Sequence, residues 1–188
     1  MWSARWVVPL TVPVNIITSN QKSQNQPSDI TFAAMTILMV CLGNICRSPL
    51  AEGILQDKAQ KAGLSWRVES AGTNGFHIGE APHRLLQKVA LQHGIDISKQ
   101  RATQFTTADF ENFDIIYAMA EEVVDEMKWI AKSKFNPGKV RLLMDELYPG
   151  ENKDVPDPWY GPEAGYHAVY KMIDEACTEI IKKATVKI

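Results

Sequence analysis

Apolar positions along this chain alternate between unbroken short runs and a spacing of three and four residues. Thr36-Ile37-Leu38-Met39-Val40 is a run of strand length, the pattern of a strand covered on both faces in a parallel sheet. Pro49, just inside the Leu50, Ala51, Ile54, Leu55 pattern, predicts a helix start, and the helix runs to about Lys61 and stops at Gly63. Trp66 to Ala71 reads as a second strand, and Pro82 to His93 as a helix closed by Gly94. Phe113 to Met119 makes a third strand. Glu121 to about Lys132 is helical, with Val123, Val124, Met127 and Ile130 inward, and Asn136-Pro137-Gly138 turns the chain into a fourth strand over Val140 to Leu143. In the last helix Val169, Met172, Ile173, Ala176, Cys177, Ile180 and Ile181 repeat at helical spacing and define one buried face. This alternation predicts an α/β fold, a three-layer, doubly wound, four-stranded parallel sheet with helices on both faces. Such sheets have right-handed crossovers and bind ligands at the carboxyl ends of the strands.

Residues 1–34 differ in character. Trp6 to Ile17 is apolar but broken by Pro9 and Pro13, and the polar run Ser19 to Ser28 follows. They are expected to form a disordered or dispensable extension to a single domain at 35–188, with Met35 the natural start. Arg5 before an apolar stretch is a weak sign of a signal peptide, and the prolines and the poor cleavage site argue against it. With 188 residues, 45% of them hydrophobic, the chain can bury a core without disulfides or metal. A net charge of −2 gives no basic field for nucleic acid, and no run of eighteen apolar residues spans a membrane. Three cysteines, two of them within six residues, are not a secreted disulfide scaffold and fit a reducing, cytoplasmic setting.

The chemistry is concentrated in Cys41-Leu42-Gly43-Asn44-Ile45-Cys46-Arg47-Ser48. This segment joins a buried strand to a helix start, where unpaired N–H groups and the helix dipole hold an anion and favour a cysteine thiolate. Cys41 is therefore expected to be ionised at neutral pH. Arg47 supplies a planar fork for two phosphoryl oxygens, and Ser48 a hydroxyl beside the sulfur. Gly43 permits close backbone approach, and Asn44 can take a left-handed conformation. Far along the chain, Asp154-Val155-Pro156-Asp157-Pro158-Trp159-Tyr160-Gly161 is a loop in which Pro158 holds Asp157 extended. Phe76, Trp159 and Tyr160, aromatic residues on glycine-flanked loops, are candidate walls of an aryl pocket; Trp66, on a strand, reads as core.

At Val40-Cys41-Leu42-Gly43-Asn44-Ile45-Cys46-Arg47-Ser48-Pro49-Leu50-Ala51-Glu52 the chain resembles the low-molecular-weight protein tyrosine phosphatases, whose signature is V-C-x-G-N-x-C-R-S-P-x-A-E. The resemblance extends through Trp66 to Thr73, Gly75 to Gly79, His93-Gly94-Ile95 and Asp157 to Gly161, from about Met35 to the C-terminus. It implies strand order 2-1-3-4, hydrolysis of protein phosphotyrosine through a phosphocysteine, and no metal or other cofactor. It makes Cys41 the nucleophile, Leu42 to Ser48 the phosphate cradle, and Asp157 first the acid for the leaving phenolate and then the base for water. It gives Ser70 and His93 the task of holding Asn44 and the loop. It implies that Cys46 captures an oxidised Cys41 as a disulfide; the alternative for Cys46 is a small buried filler. Partners would be phosphotyrosyl proteins, and in bacteria a tyrosine kinase system for polysaccharide export fits the family, though no residue names it. No feature fixes an oligomeric state. Other activities of the superfamily, arginine phosphatase and thiol-coupled arsenate reductase, are the alternatives. The arginine phosphatases carry threonine where this chain has Ile45, and arsenate reduction needs further cysteines, of which only Cys177 follows Cys46. An inactive phosphate-binding module is the third reading, and it is disfavoured because Cys41, Arg47 and Asp157 are all present.

Overall fold

Met35–Cys41 forms β1, an interior strand of the computed structural model, which describes residues 34–186. The extension expected at 1–34 lies outside the described residues except for its last position. The sheet continues with β2 (Trp66–Gly72), β3 (Ile115–Ala118) and β4 (Val140–Leu142), all parallel, in the order β2-β1-β3-β4. That is the order the resemblance implies.

Strand period splits β1 between the two faces. Leu38 and Val40 join a buried cluster with Phe105, Phe110, Phe113 and, on α4 (Glu121–Ala131), Val123, Met127 and Ala131. Ile37 and Met39 alternate to the opposite side, where α1 (Arg47–Lys61) packs on β1, β2 and α5 (Glu163–Thr185), and α2 (Arg84–Gln92) packs on α5. On α5 the expected stripe is present, with Met172 and Ile181 only half-buried, and it gains Tyr166 and Tyr170. Those tyrosines keep helical spacing, but a phenol can sit inside or outside.

The third strand is shorter than Phe113 to Met119. Phe113 packs in the cluster, and the Asp114 carboxylate accepts hydrogen bonds from the Thr36 N–H at 2.8 Å and hydroxyl at 2.9 Å. A short helix, α3 (Asp109–Asn112), precedes it, its entry fixed where the Thr106 N–H donates to the Asp109 carboxylate at 2.6 Å. Leu143, expected in the fourth strand, begins a 3₁₀ turn over Leu143–Glu146. Among the described residues no helix is long and apolar enough to cross a membrane.

From β1 the chain runs through α1 to β2 on one side, then returns to β3 on the other. The carboxyl end of β1 is therefore the point where strand order reverses, and Cys41 is its last residue.

Candidate active site

The loop from Cys41 to Cys46 is shaped by its neighbours before any ligand enters. Asn44 holds φ at 55°, a left-handed conformation that asparagine tolerates better than most residues. Its side chain is fully occupied: Nδ2 donates to Ser48 Oγ at 2.9 Å and to Ser70 Oγ at 2.8 Å, and Oδ1 accepts the Thr103 N–H at 2.8 Å. Ser70 in turn donates to Glu52 Oε2 at 2.6 Å. Burial pushes the Glu52 carboxyl up from its ordinary range, and hydrogen bonds from Ser70 and Gln100 oppose that shift.

The sulfur lies at the end of this chain of bonds. Ser48 Oγ is 3.0 Å from Cys41 Sγ, and the Asn44 N–H points at the sulfur from 3.3 Å. Asn44 already donates to Ser48, whose own single proton has two acceptors within reach, the sulfur and Ala71 O at 3.4 Å. The segment just past β2 fixes the loop's backbone as well. Thr73 N–H donates to Cys41 O and Asn74 N–H to Leu42 O, each at 3.0 Å, while the Thr73 hydroxyl is bound by Glu126 of α4. Gly72 sits directly beneath: a Cβ there would lie 2.8 Å from Leu42 O and 3.0 Å from Asn44 N, so only glycine lets the loop lie this close to β2.

Arg47 opens α1, buried, and reaches across to the second loop. Its NH2 donates to Asp157 Oδ2 at 2.9 Å and its NH1 to Val155 O at 3.3 Å, while its Nε is buried with no hydrogen-bond partner. Val155, fully buried, is anchored by its N–H on Met119 O at 2.8 Å, just past β3. The Trp159 N–H returns to Asp157 Oδ1 at 3.1 Å, a local turn that fixes the carboxylate. Asp154, the other aspartate of this loop, accepts the Glu121 N–H at 2.8 Å at the start of α4 and so has a structural task.

A cavity of about 250 Å³ is lined by Cys41, Leu42, Gly43, Ile45, Cys46, Asn74, His77, Asp157, Trp159 and Tyr160. The structure thus brings together the thiol, the loop and the aspartate, with Arg47 bonded to that aspartate. Trp159 and Tyr160 line the pocket, Tyr160 with 97% of its surface exposed at the mouth. Trp66 is core.

Two expected residues lie elsewhere. Phe76 is 86% exposed and outside the lining; in the tight turn of residues 76–79 adjacent side chains diverge, and His77 takes the wall instead. His77 is held by Glu80, its Nδ1 2.9 Å from Oε2, and its ring is 5.6 Å from that of Trp159. His93 does not reach Asn44. Its ring stacks on Tyr170 at 3.8 Å, and Ser48, Ser70 and Thr103 already occupy the amide of Asn44. Thr103 and Glu52 are the supports that sequence reasoning missed; one acts through its backbone, which no side chain announces.

Cys46 is buried, and burial raises its thiol, reinforced by the charges of Asp157 and Cys41 and opposed by Arg47. All three cysteines are free.

The family model for low molecular weight phosphotyrosine protein phosphatase matches residues 36–187. The chain belongs to that family. It is 36% identical over 149 residues to the low molecular weight protein-tyrosine-phosphatase YfkJ of Bacillus subtilis, covering 78% of this chain and 94% of that protein. It is 35% identical over 155 residues to the human low molecular weight phosphotyrosine protein phosphatase, covering 81% of this chain and 97% of the human protein. Among solved structures, Vibrio vulnificus Wzb in complex with benzylphosphonate superposes with a TM-score of 0.72 at 30% identity, covering 79% of this chain and 98% of Wzb.

Proposed function

We propose that the chain hydrolyses phosphotyrosine in proteins through a phosphocysteine at Cys41. The observation that carries this reading is the convergence, in one aromatic-walled pocket, of a thiol, a loop at a helix start and an aspartate bonded to the arginine of that loop. Leu42 to Ser48 cradle the phosphoryl oxygens with their N–H groups, and the unpartnered Nε of Arg47 is ready to donate to one of them. Cys41 Sγ attacks phosphorus, the bond to the phenolic oxygen breaks, and Asp157 gives that oxygen its proton. Water then attacks the phosphocysteine, Asp157 takes the water's proton, and the P–S bond breaks to release inorganic phosphate. The benzylphosphonate carried by Wzb is an aryl-bearing phosphoryl mimic of this kind and supports the substrate class.

Ile45, 6% exposed at the pocket lining, has no polar atom in its side chain for a guanidinium nitrogen. The protein is therefore expected to prefer phosphotyrosine peptides over phosphoserine and phosphoarginine peptides by at least about 10²-fold in kcat/KM. Preference for phosphoarginine would replace the substrate and leave the chemistry in place. Thiol-coupled arsenate reduction has little support, since Cys177 is wholly buried on α5 and its burial raises the thiol. A partner system of tyrosine kinases and a cytoplasmic setting fit the free thiols and the substrate.

The same reading includes a redox switch. Peroxide oxidises Cys41 to the sulfenic acid; the Cys46 thiol then attacks it, expelling water and forming a Cys41–Cys46 disulfide. Peroxide-treated protein is expected to regain activity with a thiol reductant, and Cys46→Ser to lose it permanently. Equal recovery of the two would remove the switch.

A further inference from the structure

We infer that His83 is a positioning residue that sets the distance between the nucleophile loop and the acid loop. The inference rests on the reading of Asp157 as the proton donor. His83 stands immediately before α2 and touches both loops by different means. Its N–H donates to Ile45 O at 2.8 Å, in the middle of the phosphate cradle. Its ring lies edge-on to Trp159 at 5.2 Å and stacks on Tyr166, also at 5.2 Å with 17° between planes. The Tyr166 hydroxyl closes the circuit by donating to Trp159 O at 3.4 Å. Trp159 is two residues from Asp157 and donates its own N–H to that carboxylate.

The ring has a further property: its Nδ1 is buried with no hydrogen-bond partner. That nitrogen contributes nothing by hydrogen bonding, and the contacts that tie the ring to the acid loop are those with Trp159 and Tyr166. Those contacts hold Trp159 from outside the cavity lining, to which His83 does not belong, and His77, which does, touches the same indole at 5.6 Å. With two imidazoles against the indole, the acid loop keeps its register over Cys41. A displacement of about 1 Å in a reacting group can cost about 10²-fold in rate, so loosening this contact should be visible in proton delivery.

The backbone bond to Ile45 survives any side-chain change, so variants at 83 isolate the ring. His83→Ala is expected to lower kcat/KM about 10-fold on an alkyl-substituted phenyl phosphate, whose leaving group needs a proton. On 4-nitrophenyl phosphate, whose leaving group does not, kcat/KM should change less than about 2-fold, and the inhibition constant of inorganic phosphate should stay within the same factor. His83→Phe, which keeps an aromatic ring at the position, should recover most of the loss. Equal loss of kcat/KM on both substrates in a folded His83→Ala protein, or failure of His83→Phe to recover while its melting temperature matches wild type, would overturn the inference. Asp157→Ala measured alongside separates the two readings. If it shows the leaving-group dependence and His83→Ala does not, His83 alone loses its role; if neither does, the acid assignment fails.

Discussion

Cys41→Ser abolishes turnover of aryl phosphates, by at least about 10⁴-fold in kcat, while the protein stays folded and still binds phosphate. The substitution is nearly isosteric, and Ser48 Oγ and the Asn44 N–H, at 3.0 and 3.3 Å from the sulfur, can hydrogen-bond a hydroxyl as well. An alcohol at this site stays protonated, so the phosphoenzyme does not form. Rate measurements with 4-nitrophenyl phosphate, a thermal melt and an inorganic phosphate titration check the three parts. Activity near wild type would show that Cys41 is not the nucleophile.

Asp157→Ala has the second largest expected effect, and it acts in two directions. Loss of the proton donor lowers kcat/KM on phosphotyrosine by about 10²–10⁴-fold, with a smaller loss on substrates whose leaving group is already a weak base. At the same time Arg47 loses the carboxylate that its NH2 binds at 2.9 Å. A buried guanidinium without that partner should hold anions more firmly, so inorganic phosphate is expected to inhibit the variant at lower concentration. A fall in kcat/KM with weaker phosphate inhibition would mean the aspartate shapes the loop without competing for the arginine.

The order of elements and the nucleophile loop are legible in the chain because each has a local cause. Burial on both faces writes β1 as an unbroken apolar run, and α1 begins at a proline beside the loop. Other parts have no local cause. Asn44 could be read as a left-handed residue, but which groups tie it down depends on Thr103, 59 positions away, through its backbone N–H. His93 stands at the end of a helix, yet its ring goes to Tyr170, because α2 and α5 lie against each other. Phe76 and His77 are adjacent in a turn, where no period of two or three and four says which side chain faces the pocket. Glu52 could not be weighed without the burial that raises its carboxyl.

The bond between Arg47 and Asp157 also bears on how the enzyme ends its cycle. Under the proposed mechanism inorganic phosphate, once formed, contacts the same guanidinium that Asp157 binds at 2.9 Å. The aspartate cannot diffuse away, and a tethered group of this kind competes at an effective concentration of about a millimolar or more. Under that mechanism the protein's own carboxylate competes with product for the arginine and is already in place to take over the guanidinium as phosphate leaves.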